Sequence, residues 1–384
     1  MKKIINIGII GFGAMGKTHS YSIENLKYFY SSLDFHPQIL GVCTTSAEGA
    51  SRIANTYGFE IATANENDLI YNEKIQAIHI CTPNIYHYDT AKKALLAGKN
   101  VYCEKPLCVN ASEAYELAHI AEEKRLVCNI VFNNRHIAPL MRAKELVDEG
   151  RLGRILTFSA EYHHNSCTDR ERPAGWKQNS DICGGGVLFD LGSHVIDLIY
   201  YLCGEFESVS GMGQIAYPTR KGQDGNEWQT NADEAFYLTA KLKGGAIGQI
   251  CASKISTGAN DDLNLYISGE KGAIKFSLMQ PNYLYFYDAT KKAGPLGADC
   301  GYTAIECVGR YPAPASFPAP KAPSGWLRGH VQGIYEFLAG VATNNGVAPS
   351  FKDGAHIQAV MEASYQSARN DSRVTRVKYE DEFN

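Results

Sequence analysis

The sequence predicts two domains: a doubly wound parallel α/β domain over residues 1–130, and an α+β domain with a mostly antiparallel sheet over residues 131–384. Three observations carry this prediction. An apolar strand, IINIGII, runs straight into Gly11, Gly13 and Gly16; short apolar runs then alternate with helical patterns as far as Ile130; beyond Ile130 the chain changes to longer strand-like runs with glycine-bearing turns. At 384 residues the chain also exceeds what one hydrophobic core usually supports.

In the first domain the predicted strands are IINIGII, QILGVC, AIHIC, NVYC and VCNIV. Ala47–Tyr57, Tyr86–Leu96 and Ala111–Glu123 carry apolar residues at helical spacing, with Asn84 and Asn110 placed as N-caps. Each motif glycine has its own task. Gly11 permits a tight turn out of the strand, Gly13 lets the backbone approach a pyrophosphate, and Gly16 lets the next helix lie close. The N-terminus of that helix then offers free N–H groups and a partial positive charge to phosphates.

In the second domain a helix is expected over Pro139–Glu149, followed by the strands RILTFSAEYHH, EAFYLTAKL, AIGQICASKI, LNLYISG and AIKFSLM. The turns Lys243–Gly245 and Gly269–Gly272 suit hairpins between antiparallel strands. One helix interrupts the strands, with Leu188, Leu191, Val195, Leu198 and Leu202 forming a core-facing stripe. Pro312, Pro314, Pro318, Pro320 and Pro323 exclude regular structure from one stretch, which reads as an extended arm. The last helical patterns, Gly329–Ala342 and Asp353–Ala368, are expected to pack back on the sheet or on the first domain.

Composition narrows the classes of function. A net charge of -4 and a pI near 6.3 give no broad field for nucleic acid or an anionic membrane. The N-terminal apolar run is too short for a secretory signal and no later run is expected to span a bilayer, so a cytoplasmic location follows. Eleven cysteines without a C-x-x-C pair read as reduced, mostly buried thiols, and no metal is expected.

The chemistry-bearing residues cluster in few places. NVYC leads into Glu104, Lys105 and Pro106, which sets a lysine at the carboxyl end of a parallel strand, where open α/β sheets bind ligands. Beside a nicotinamide, such an ammonium would hydrogen-bond a substrate hydroxyl and stabilise an alkoxide. Four residues separate Asp190 from His194, so on a helix both project from one face. His194 is then a general base with Asp190 orienting it or the substrate; the alternatives are a helix histidine satisfied by Asp197 and an N-capping aspartate. Arg135 reads equally as a substrate ligand or an interdomain ion pair. Tyr162 and Trp176 are candidates for packing on a sugar face or for the core, and His163, His164 and Asn165 for lining a cleft.

The glycine turn, TPN at Thr82–Asn84, EKP at Glu104–Pro106 and GGGVLFDLGSHVIDL at Gly184–Leu198 together resemble the Gfo/Idh/MocA oxidoreductases over nearly the whole chain. The resemblance implies a Rossmann domain beside a large open sheet, a nicotinamide cofactor, a sugar or polyol substrate and a homo-oligomer, dimer or tetramer. It also implies catalytic roles for Lys105, Asp190 and His194, with the ammonium and imidazole gripping one alcohol. The cofactor site is expected to run over Gly11, Phe12, Gly13, Ala14, Met15, Gly16, Thr44, Thr45, Ser46, Thr82, Pro83, Asn84, His87, Glu104 and Lys105, and the substrate site over Lys105, Arg135, Tyr162, Trp176, Asp190 and His194. QILGVC ends in Thr44, Thr45 and Ser46 rather than an acid, and Arg52 follows, a pattern that leans from NAD toward NADP. Hydride transfer at a secondary hydroxyl or ketone of a sugar, cyclitol or glycoside is the leading function. A nicotinamide-dependent glycosidase of the same fold and a non-catalytic NAD(P)-binding sensor are the alternatives.

Overall fold

The computed structural model describes residues 2–222 and 224–380. The chain divides into two compact units, Met1–His136 with Tyr311–His356, and Ile137–Arg310 with Ile357–Asn384.

The first unit alternates β1 (Lys3–Ile10), α1 (Ala14–Phe29), β2 (Phe35–Cys43), α2 (Ala47–Tyr57), β3 (Ile61–Thr63), α3 (Asn67–Ile70), β4 (Ala77–Ile80), α4 (His87–Leu96), β5 (Asn100–Cys103), α5 (Ala111–Glu123) and β6 (Cys128–Ile130). Its sheet has the order β3-β2-β1-β4-β5-β6 with every pair parallel. That order reverses between β1 and β4, which opens a crevice at the strands' carboxyl ends. The strands are apolar on both faces because helices cover both: Ile5, Ile7 and Ile9 are fully buried, as is all of β4. Pro37 is tolerated inside β2 because β3 pairs only with Gly41–Cys43, so no β3 residue faces the missing N–H. Ser46 caps α2 by accepting from the Gly49 N–H, and Asn110 caps α5 by accepting from Glu113. Asn84 is not the cap that was expected: it opens a 3₁₀ turn, Asn84–Tyr86, that leads into α4. Pro83 accounts for this, since it fixes an extended backbone directly ahead of the turn.

The second unit begins with α6 (Ala138–Asp148) and β7 (Ile155–His163), then α7 (Ser180–Cys183), a π-helical turn (Leu188–Gly192) and α8 (Ser193–Cys203). There follow β8 (Phe206–Gln214), β9 (Thr219–Lys221), β10 (Glu227–Gln229), β11 (Ala235–Leu242), β12 (Ile247–Ser253), β13 (Asp262–Gly269), β14 (Gly272–Ser277), β15 (Tyr283–Asp288) and β16 (Tyr302–Glu306). Nine strands form one open sheet, β16-β15-β14-β13-β7-β12-β11-β8 and finally a short strand, Thr375–Arg376. Every pair in it is antiparallel except β7 with β12. Phe158, Ala160 and Tyr162 of β7 and Leu263, Leu265 and Ile267 of β13 face inward in strict alternation. Against that face packs α8, whose Val195, Leu198 and Ile199 are fully buried.

The strand β8 escaped the sequence reading because glycines break its alternation. A Cβ on Gly211 would come within 2.7 Å of the Phe236 ring, so packing rather than strand propensity selects that glycine. The expectation that no later run is long enough to span a bilayer also needs correcting. The helical stretch Ser180–Cys203 passes by length and composition, but 78% of its apolar window is buried within the fold, as in a core helix.

Residues 311–325 contain no helix or strand, in keeping with their prolines. The helix α9 (Trp326–Thr343) returns to the first unit, where Val331, Ile334, Phe337 and Leu338 share a core with Ile23 and Leu26 of α1. In α10 (Phe351–Arg369), residues to His356 belong to the first unit and the remainder to the second.

Candidate active site

The glycine turn has the shape a dinucleotide needs. Gly11 sits at φ +88°, and a Cβ there would lie 2.6 Å from the Cys81 carbonyl oxygen. A Cβ on Gly16 would lie 2.4 Å from the carbonyl oxygen of Gly11, so the third glycine closes the turn on the first. Gly13 has nothing within 4 Å of the same construction, and no side chain caps α1 there. Open space beside uncapped N–H groups fits a pyrophosphate. Ala14 is exposed and Met15 half-buried at this turn, whereas Phe12 turns into the core against Tyr57 and Phe59. At the end of β2, Thr44 is half-buried and Thr45 and Ser46 are exposed, with no carboxylate among them.

The TPN and EKP segments follow β4 and β5, adjacent strands of the sheet. His87 ties them together: its Nδ1 lies 2.8 Å from the Pro106 carbonyl oxygen and its Nε2 2.8 Å from that of Thr82. Burial lowers the imidazole pKa against the pull of these carbonyls, and a neutral ring donates to one of them at a time. Lys105 is half-buried in the EKP loop, between Glu104 and the Pro106 whose carbonyl His87 meets.

Beneath Lys105 lies a polar network that the sequence reading missed. Glu104 accepts from His19 Nε2 at 3.1 Å, and His19 Nδ1 meets His79 Nδ1 at 3.1 Å. Burial raises the Glu104 pKa, but His19, His330 and Lys105 outweigh it and hold the carboxyl below its ordinary range. Burial drives His79 well below the usual imidazole value and His330 down to about 3. One signal for this cluster was available: His79 interrupts the apolar strand AIHIC, and a polar group buried in a strand needs a partner.

In the second unit, the π-turn and α8 carry Asp190 and His194. The turn is fastened at its start by Asp233, which accepts from the N–H groups of Gly186 and Val187 and from the Tyr365 hydroxyl. Two lysines hold Asp190. Lys177 Nζ lies 2.9 and 3.0 Å from its two oxygens, and Lys254 Nζ lies 2.9 Å from Oδ2. Lys254 follows β12 and neither it nor Lys177 was singled out from sequence, because nothing local marks a distant ion pair.

His194 is nearly buried, with the Tyr162 ring edge-on at 5.9 Å. The Tyr162 hydroxyl donates to Asp261, which also pairs with His164 Nε2 at 2.9 Å. Burial, then Asp261, pushes the phenol pKa far up, so Tyr162 stays neutral. His163 bonds Glu161 and Ser256 instead. Trp176 is partly exposed and lies beneath the Lys177 ammonium. Arg135 is buried in the first unit and pairs at 3.2 Å with Asp353 of the same unit. The structure thus groups Thr82, His87, Glu104 and Lys105 in one unit, and Tyr162, Lys177, Asp190, His194 and Lys254 in the other.

A parallel sheet in this strand order, opening through an uncapped glycine turn, defines a dinucleotide-binding unit. Residues 5–132 match the oxidoreductase family with NAD-binding Rossmann fold, and residues 140–275 match the GFO/IDH/MocA C-terminal domain. The chain belongs to the Gfo/Idh/MocA family and is a nicotinamide-dependent oxidoreductase. It is 29% identical to levoglucosan dehydrogenase of Pseudarthrobacter phenanthrenivorans across 96% of this chain and 97% of that one. It is 25% identical to glucose-6-phosphate 3-dehydrogenase of Bacillus subtilis across 96% and 97%. A levoglucosan dehydrogenase solved with NADH and levoglucosan superposes with a TM-score of 0.93 at 28% identity, covering 98% of this chain and 100% of that chain.

Proposed function

We propose that this enzyme moves hydride between a nicotinamide and a secondary hydroxyl of a sugar, cyclitol or glycoside, or the matching ketone, with Lys105, Asp190 and His194 handling the alcohol. The carrying observation is Lys105 at the carboxyl end of β5, braced by the Glu104–His19 pair and the His87 tie. The activities named for the relatives support the substrate class. When bound, the dinucleotide supplies the hydride acceptor. His194 removes the hydroxyl proton, the Lys105 ammonium stabilises the developing alkoxide, and Asp190 accepts a hydrogen bond from the sugar.

The test is a screen of levoglucosan, glucose 6-phosphate, glucose and myo-inositol with NAD and NADP at matched concentration. Stoichiometric NAD(P)H supports the dehydrogenase; glycoside cleavage without added cofactor, or no turnover at all, overturns it. For the cofactor we favour NADP, since hydroxyls at Thr44, Thr45 and Ser46 carry no charge to repel a 2′-phosphate and Arg52 is exposed nearby in sequence. Clear preference for NAD in the same screen discards that argument. We also propose a cytoplasmic homo-oligomer built on the open sheet, which exposes Met212, Tyr237, Ile247 and Leu156. A monomeric mass by light scattering at micromolar concentration overturns it.

A further inference from the structure

The two lysines on Asp190 differ in kind. The Lys254 side chain is 5% exposed and that of Lys177 47%. Lys254 is fixed through its backbone on both sides: its N–H donates to the Glu234 carbonyl at 2.8 Å, and its carbonyl accepts from Cys167 N–H at 2.8 Å. Glu234 in turn forms a buried pair with Arg220 at 2.8 Å, and Arg220 also donates to the Cys167 and Asp169 carbonyls. Lys177 instead stands on a single 3₁₀ turn, Trp176–Gln178, facing solvent. A buried ammonium persists when a fixed anion compensates it, whereas an exposed pair contributes little and exchanges readily.

We propose that Lys254 is a positioning residue, the permanent anchor of Asp190 through Oδ2, and that Lys177 is the exchangeable partner whose place on Oδ1 a substrate hydroxyl takes. The inference rests on the reading above that Asp190 receives the substrate. With Lys254 in place, Asp190 keeps its position when the outer ammonium leaves, and the acceptor oxygen is already oriented. The burial of Lys254 also puts a cation beside Asp190 that bulk salt screens poorly.

Two measurements test this. The first is a pair of double-mutant cycles read as folding equilibria by denaturant titration, with Lys254→Met or Lys177→Ala against Asp190→Asn. We expect a coupling of about tenfold or more for Lys254 with Asp190 and about twofold or less for Lys177. Equal couplings, or a Lys254 coupling below twofold, overturn the proposal. Because the Lys254→Met variant is compared with the double variant Lys254→Met/Asp190→Asn, which leaves no buried charge unpaired and only the exposed Lys177 ammonium, misfolding of the single variant is recognised as such.

The second is steady-state kinetics with the best sugar of the screen. Lys254→Met should lower kcat about tenfold or more, Lys254→Arg should restore most of it, and Lys254→Met should add little in the Asp190→Asn background. Lys177→Ala should move KM severalfold. A Lys254→Met enzyme with unaltered kcat beside an impaired Asp190→Asn enzyme overturns the anchor alone. An Asp190→Asn enzyme that turns over normally removes Asp190 from the site and overturns the underlying reading.

Discussion

Lys105 and His194 are asked to stabilise a charge and to move a proton, and each task depends on where one nitrogen is held. For Lys105 the hold is indirect: Glu104 is fixed by His19, and the carbonyl of Pro106 by His87. Removing either reacting group should therefore slow chemistry without disturbing the glycine turn. Lys105→Ala and His194→Ala are each expected to lower kcat by about 10² or more while leaving the dissociation constant for NAD(P)H within a few fold. Stopped-flow turnover beside a fluorescence titration of the cofactor checks this, and normal turnover in either variant removes that residue from the mechanism. Lys105, Asp190 and His194 could be singled out because strand position and a four-residue spacing mark them and the family resemblance favours a catalytic role over a structural one. His19, Lys177 and Lys254 could not, since a pair between distant positions leaves no local pattern.

At the scale of elements, the segment that departs most from expectation is the one carrying Asp190. A single regular helix was expected around Leu188–Leu202, and the leucine stripe is indeed its buried side. Its first turn is π-helical, a wider winding often found at functional sites. The glycines before it explain why the backbone can be gripped so closely. A Cβ on Gly186 would fall 2.3 Å from both the backbone nitrogen and the backbone oxygen of Asp233. Neither atom can yield without moving β11's approach, so Gly186→Ala should destabilise the second unit by about 1–3 kcal/mol and reduce activity with it. The denaturation midpoint measures the first effect, and a midpoint equal to that of the parent enzyme contradicts the close-contact argument. In the first unit the cap at Asn110 and the helix at Ala47–Tyr57 followed directly from sequence, because capping and helical period are local properties.

For the whole molecule, several buried groups act together on the pH dependence of stability. His79 and His330 are held neutral by burial, His330 down to about 3, while the unfolded chain takes up those protons below its ordinary value of 6.5. Glu104, Glu336 and Asp353 are held ionised, so they too oppose proton uptake in the folded state. In every case the unfolded chain binds more protons, and stability falls as pH falls. The decline should begin near pH 6.5 with the histidines and steepen below about 4.5 as the carboxylates join, at ~1.4 kcal/mol per pH unit for each unmatched proton. Replacing His330 by Phe should flatten the slope by about one proton between pH 6 and 4. Urea midpoints measured across that range decide it, and an unchanged slope shows that His330 is not among the groups responsible.

The amino-acid sequence by itself determined the parallel α/β unit, the antiparallel sheet that follows, the glycine turn and the identity of Lys105, Asp190 and His194 as the residues to watch. Burial imposes a period on each strand and helix, and that period, with glycine and capping residues at its ends, is written locally. Only the tertiary structure decided that Asp190 is gripped by Lys177 and Lys254, that His19 reaches Glu104, that His87 joins two loops and that β8 is a strand at all. Those pairings fall outside the repeat of any single strand or helix, and their geometry exists only once folding brings the separate segments together.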